Sequence, residues 1–255
     1  MSTVLVTGGT GVLGRRVAGL LGDRDGHDVR ILSRRTGPDV VVGDLATGAG
    51  IGRAVDGAEL VVHAASDTRR FGRADERQTA TLLGALATAG TVRHLLYVSI
   101  VGVDAVPFGY YRRKLACEAM VHASPTPSTV LRATQFHQLI AELLTRTERL
   151  PVAPLPLDLP FQPVGADDVA ERTVDLLTAA PVGRALDLGG PEVRTLAELT
   201  DVWRSIRGRP RRVLRLPLPG AAARAFREGR HTCPDRADGH ETWAEFVRAR
   251  TGPAS

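Results

Sequence analysis

Tyr110 and Lys114 stand four residues apart in the run Tyr110-Tyr111-Arg112-Arg113-Lys114. On a helix that spacing puts both on one face. An ammonium beside a phenol favours the phenolate and draws its pKa down from about 10. Such a tyrosine works as a general acid or base near neutral pH, and the ammonium also suits the hydroxyls of a ribose. Lys114 is the sole lysine beside thirty-two arginines. Most of that excess reads as arginine serving where lysine would on a solvated surface. A compact ammonium does what a bulky guanidinium does poorly, so the one lysine that remains stands out.

A second run, Thr7-Gly8-Gly9-Thr10-Gly11-Val12-Leu13-Gly14, follows a short apolar stretch and opens a helical pattern. A tight strand-to-helix turn asks for φ values that a Cβ forbids. It also lets bare amides approach a pyrophosphate at a helix N-terminus. Gly8, Thr10, Gly11, Val12, Leu13 and Gly14 are therefore expected to hold a dinucleotide. Some twenty residues on, Leu32-Ser33-Arg34-Arg35 lacks the acid that would bond a ribose 2′-hydroxyl. Ser33, Arg34 and Arg35 suit a 2′-phosphate instead, which favours NADP over NAD. Asp44, after Gly43, is placed to accept from an adenine amino group, with Leu45 against the ring. In His63-Ala64-Ala65-Ser66, the small residues Ala64, Ala65 and Ser66 let the backbone lie along the cofactor. His63, with apolar neighbours, reads as a packed strand-end histidine.

The elements that must position these residues are short and regular. Thr3–Val6, Val29–Leu32, Val40–Val42, Leu60–His63, Leu95–Ser99 and Thr129–Ala133 read as strands apolar on both faces, the signature of a covered parallel sheet. Ala185–Leu188 reads as a seventh. Leu13–Leu21, Ile51–Val55, Ala74–Ala89, Tyr110–His122, Ala166–Leu177, Thr195–Ile206 and Gly220–Arg227 read as helices. The alternation predicts an α/β fold, a doubly wound parallel sheet. Five prolines in 150–163 predict an extended loop there. The expected domains are a nucleotide-binding core over 1–150, with return contributions from 161–190, and a small C-terminal substrate part over 191–255.

Composition excludes other classes. An apolar fraction of 43% and a net charge of +5 do not fit a disordered chain. No apolar run approaches the ~18–20 residues of a membrane span. Strand-like residues from Thr3 leave no room for a leader, so a cytoplasmic protein is expected. Two cysteines are too few for a disulfide scaffold or a zinc site, and no metal is expected. Six arginines between Arg204 and Arg215 come without an acid, yet also without interleaved aromatics. A solvated face, and no nucleic-acid partner, is the expectation.

Together these pieces resemble the short-chain dehydrogenase/reductase superfamily, in its atypical, NmrA-like subgroup. The resemblance is carried by Thr7–Gly14, Val42-Gly43-Asp44-Leu45, Tyr97 through Asp104, Tyr110 through Lys114, Leu131 through Phe136, Phe161 through Val164 and Leu188 through Pro191. It implies a Rossmann fold, NADP-dependent chemistry, Tyr110 as proton donor, Lys114 as ribose-binding helper and Ser99 as the hydroxyl that polarises a carbonyl. Relatives of the extended type carry a second hydroxyl after the serine, where this chain has Ile100. Phe136 is expected at the nicotinamide. Val101, Phe108, Gln135 and His137 are expected to line a site for a small, largely apolar ketone, enone or quinone. An NADPH-dependent oxidoreductase is the first reading; an NADP-binding sensor without catalysis and a non-redox isomerase or cyclase are the alternatives. A homodimer stays open.

Overall fold

Most strands of the central sheet are short and β-branched or leucine-rich, and most are followed by a helix. The computed structural model describes residues 2–23, 26–67, 70–210 and 212–251. In chain order the elements are β1 (Thr3–Thr7), α1 (Gly14–Asp23), β2 (Asp28–Ser33), β3 (Val40–Val42), α2 (Ile51–Val55), β4 (Leu60–His63), α3 (Asp75–Ala89), β5 (His94–Ile100), α4 (Gly109–Ala123) and β6 (Ser128–Ala133). There follow α5 (His137–Thr147), β7 (Ala153–Leu155), β8 (Pro160–Phe161), α6 (Ala166–Thr178), β9 (Gly183–Arg184), β10 (Arg194–Thr195), α7 (Leu196–Arg207), β11 (Val213–Arg215), α8 (Ala221–Arg227) and α9 (Trp243–Thr251).

Seven strands form a parallel sheet in the order β3-β2-β1-β4-β5-β6-β9. This is the doubly wound order with its reversal beside β1. The register puts Thr7 opposite both Leu32 and His63, and His63 opposite Tyr97. The carboxyl ends of β1, β2, β4 and β5 therefore lie in one row, and the expected cofactor residues begin just past it.

Two compact units divide the chain. The first comprises Met1–Ser99, Phe108–Arg132 and Val169–Leu186; the second comprises Ile100–Pro107, Ala133–Asp168 and Asp187–Ser255. The units are interleaved in sequence rather than consecutive. In the first, Leu5, Val61, Leu95 and Tyr97 of the sheet pack with Leu82 and Leu86 of α3 and Cys117 and Val121 of α4. Each such side chain contributes roughly 1.5–3 kcal/mol on burial. The second unit is built on α5, α7 and α9, where Ile140, Leu144, Leu199, Trp203, Trp243 and Phe246 form its core.

Two expectations are corrected. The proline-rich stretch 150–163 is not all loop: β7 pairs with β11 and β8 with β10. Two-stranded ribbons consist of edges, where a proline lacking an N–H is tolerated. The seventh strand begins earlier than expected, at Gly183–Arg184 against Thr129–Val130. Leu188 makes only an isolated bridge to Ala133.

Candidate active site

The glycine turn is shaped by close approach. Gly8 has φ +72°, and a Cβ there would lie 2.7 Å from Ala65 N and 2.8 Å from Ala64 C. A Cβ on Gly14 would meet the backbone of Gly8 and stand 2.7 Å from Gly9 Cα. The Gly11 amide donates to Gly8 O at 2.9 Å, closing the turn. The structure thus brings the glycine turn and the Ala64–Ala65 backbone together. Thr10 and Gly11 are exposed, while Leu13 and Gly14 are buried against the sheet and Val12 is half-buried. This is a cradle that a β-carbon would fill, and its residues fit a dinucleotide pyrophosphate.

Arg34 and Arg35 are exposed past the end of β2, and Ser33 Oγ accepts from Arg35 N at 3.1 Å. Asp44 turns Oδ1 to its own loop, accepting from Ala46 N at 2.9 Å. Leu45 sinks into the core of this unit. Buried His63 shares hydrogen bonds with Thr7 Oγ1 (2.7 Å) and Thr79 Oγ1 (3.1 Å). Burial, with the Lys114 charge adding, drives its pKa down to about 3, so it stays neutral.

Around Tyr110 the sequence expectation changes. Lys114 is only 3% exposed, and its Nζ donates to Val98 O at 2.9 Å and stands 4.3 Å over the Tyr97 ring. Tyr110 Oη lies 2.9 Å from Ser66 Oγ, and Ser66 Oγ donates to Asp75 Oδ2 at 2.7 Å. A serine has one hydroxyl proton. With that proton on Asp75, the phenol is the donor to Ser66. The expected fall in the phenol's pKa is not found: burial pushes it up to about 12. Burial also lowers the lysine. Loss of solvation disfavours both charged forms, and the nearby Asp75 charge adds to the rise of the phenol.

Asp75, 2% exposed, is the residue the sequence did not single out. Its Oδ1 also accepts from Asp67 N at 2.7 Å. An acid in the first turn of a helix is a legible signal; its inward aim is not. Ser99 is 3% exposed, and its Oγ has no hydrogen-bond partner among the described residues. A buried polar group without a partner invites one from a ligand. Phe108 ends the preceding loop and meets Phe71 and Tyr111 edge-on at 6.1 and 6.0 Å.

Val101, Gln135, Phe136 and His137 belong to the second unit. Val101 is buried, its amide donating to Ala133 O. Gln135 spends its amide on protein, donating to His231 O at 3.0 Å and accepting from Gln162 N. Half-buried Phe136 bridges Val164. His137 is enclosed, stacked on Phe246 at 4.9 Å, with Nε2 2.9 Å from Glu241 O.

The profile of the NmrA-like family matches residues 1–203. The chain belongs to the NmrA-like family. Its sheet is accordingly a Rossmann fold, and proteins named as reductases are among its relatives. This NmrA-like chain is 35% identical over 231 residues to the (4-alkanoyl-5-oxo-2,5-dihydrofuran-3-yl)methyl phosphate reductase of Streptomyces griseus subsp. griseus, covering 86% of this chain and 78% of that protein. In fold it is similar to an NADPH-dependent quinone oxidoreductase of Escherichia coli in complex with NADPH, at TM-score 0.79 and 18% identity, covering 97% of this chain and 99% of the other. It is also similar to the triphenylmethane reductase of Citrobacter sp. complexed with NADP(H), at TM-score 0.76 and 17% identity, covering 97% and 99%. Among the described residues, no helix is long and apolar enough to cross a membrane.

Proposed function

We propose that this protein is an NADPH-dependent reductase of a small molecule bearing a conjugated carbonyl, with Tyr110 as the proton donor. The observation that carries the reading is the ordered chain Tyr110–Ser66–Asp75. In it the phenol is the donor to Ser66, while burial keeps the phenol protonated. The exposed guanidiniums of Arg34 and Arg35 select the 2′-phosphate in place of a bare ribose, and the Gly8–Gly14 turn receives the pyrophosphate. Bound NADPH supplies the hydride. Tyr110 then gives one proton to the reduced substrate, so the acceptor gains two electrons and the phenol becomes a phenolate. Ser66 swings its O–H from Asp75 to that phenolate and stabilises it. The buried Ser99 hydroxyl, free of protein partners among the described residues, suits the substrate carbonyl. The relative from Streptomyces, named for a reduction at a phosphorylated dihydrofuranone, supports an unsaturated lactone or related enone as acceptor.

One observation favours the sensor reading: Lys114 is committed to Val98 O rather than held beside the phenol. Steady-state consumption of NADPH with dihydrofuranones and quinones separates the two. Tyr110→Phe is expected to lower kcat about 10²–10⁴-fold while leaving the NADPH Kd within about twofold. Turnover unchanged in Tyr110→Phe would remove the acid role. Tight NADPH binding with no turnover on any acceptor would favour the sensor.

A further inference from the structure

We propose that Arg70, Arg73 and Arg77, at the entry to α3, form a subsite for a phosphate monoester carried by the substrate. The proposal rests on the reductase reading and names the substrate class it serves. The three arginines line a cavity of about 450 Å³ together with Asp67, Phe71 and Ala74. That volume lies in the range of small-molecule sites. Three guanidiniums face one carboxylate. The resulting charge of +2 matches a phosphate monoester, which carries about −1.5 to −2 at neutral pH.

In an arginine-rich chain, three neighbouring arginines alone would mean little. These three, however, gather round one cavity. Some exposed arginines elsewhere are held by acids: Arg93 pairs with Glu59, Arg146 with Glu142, Arg194 with Glu192 and Arg230 with Glu228. Among the described residues, no carboxylate lies within ion-pair distance of Arg70, Arg73 or Arg77. Unpaired guanidiniums around a cavity present the fork geometry that binds phosphate oxygens in pairs.

The subsite is also tied to the proton donor. Phe71 O accepts from Arg113 Nη1 of α4 at 3.0 Å. The next residue, Gly72, has φ +70° and lies so close to the phenol that a Cβ would be 2.7 Å from Tyr110 Cδ2. Phe71 itself is 61% exposed and lines the cavity, offering an apolar face to a carbon skeleton. A molecule with its reacting carbonyl at Tyr110 has room to lay an anionic arm among the arginines.

The test compares a dihydrofuranone methyl phosphate with its dephosphorylated alcohol, using full-length protein loaded with NADPH. Arg73→Glu/Arg77→Glu is expected to raise KM for the phosphate ester at least tenfold. KM for the alcohol and Kd for NADPH should be unchanged, which also verifies the fold. Arg73→Lys, which keeps charge but loses the fork, should fall between. Equal KM for ester and alcohol in the wild type, or equal losses for both in the variant, overturns the subsite. If neither compound is turned over, the reductase reading fails for this acceptor, and calorimetry with the phosphate ester decides the subsite separately. Binding lost in the double variant sustains it; no binding to the wild type overturns it.

Discussion

At the β1–α1 turn the structure depends on atoms that are missing, whereas around Tyr110 it depends on polar groups with more than one partner to choose from. Gly8 and Gly14 are held by the nearness of backbone to backbone, and no neighbouring side chain can soften that constraint. Ser66, Asp75, Tyr110 and Lys114 are held by hydrogen bonds and burial, and each bond competes with another. Steric requirements are local in sequence and rigid in outcome. Polar requirements are settled only when the whole neighbourhood is in place, as when Lys114 turns to Val98 O.

The sharpest way to break the contrast is at the turn. Gly14→Ala puts a methyl against the Gly8 and Gly9 backbone. The strain is about 1–3 kcal/mol, and NADPH affinity measured by fluorescence titration should fall about a hundredfold, with a lowered Tm. An alanine variant that binds NADPH normally would show that the turn has slack. A smaller effect is expected just outside it: Arg34→Ala/Arg35→Ala should weaken NADPH about tenfold or more, through loss of charge-assisted bonds to the 2′-phosphate. NADH should be unaffected; a parallel loss for NADH would assign these arginines elsewhere. The smallest effect belongs to the polar end. Ser66→Ala removes the group that lowers the phenol's pKa, so the phenol should rise further and the phenolate left after proton transfer lose its partner. A several-fold fall in kcat is expected, restored by Ser66→Thr, with KM little changed. A Ser66→Ala variant as fast as wild type would leave that hydroxyl merely structural.

The same contrast explains what was legible in the sequence. The first six strands and the glycine turn follow from local periodicity and turn chemistry, and β3, α2 and β4 fall on the expected residues. Helix α9 is not among the expected helices, although Trp243, Phe246 and Val247 sit at helical spacing; α5 likewise carries Ile140 and Leu144. Those periodic signals were present and brief. The partners of Gln135 and His137 lie 96 and 104 residues away, beyond any local pattern. So does the pairing of Arg132 with Glu118, which bury a bidentate ion pair at 2.8 and 2.6 Å. The Tyr110–Lys114 spacing puts both residues on α4, but spacing says nothing of solvation, and solvation sets the direction of the phenol's shift.

Buried Gln162 in the second unit gives the family boundary a different meaning. Its amide donates to Gly190 O and to Cys233 O and accepts from Cys233 N at 2.7 Å. Gln135 reaches His231 O. The ancestral signature stops at residue 203, thirty residues short of the strand of chain that satisfies these amides. A polypeptide cut there would leave Gln135 without the His231 carbonyl and Gln162 without Cys233, each keeping only its nearer partner. The stretch that carries the family signature is therefore shorter than the stretch that satisfies the second unit's buried amides.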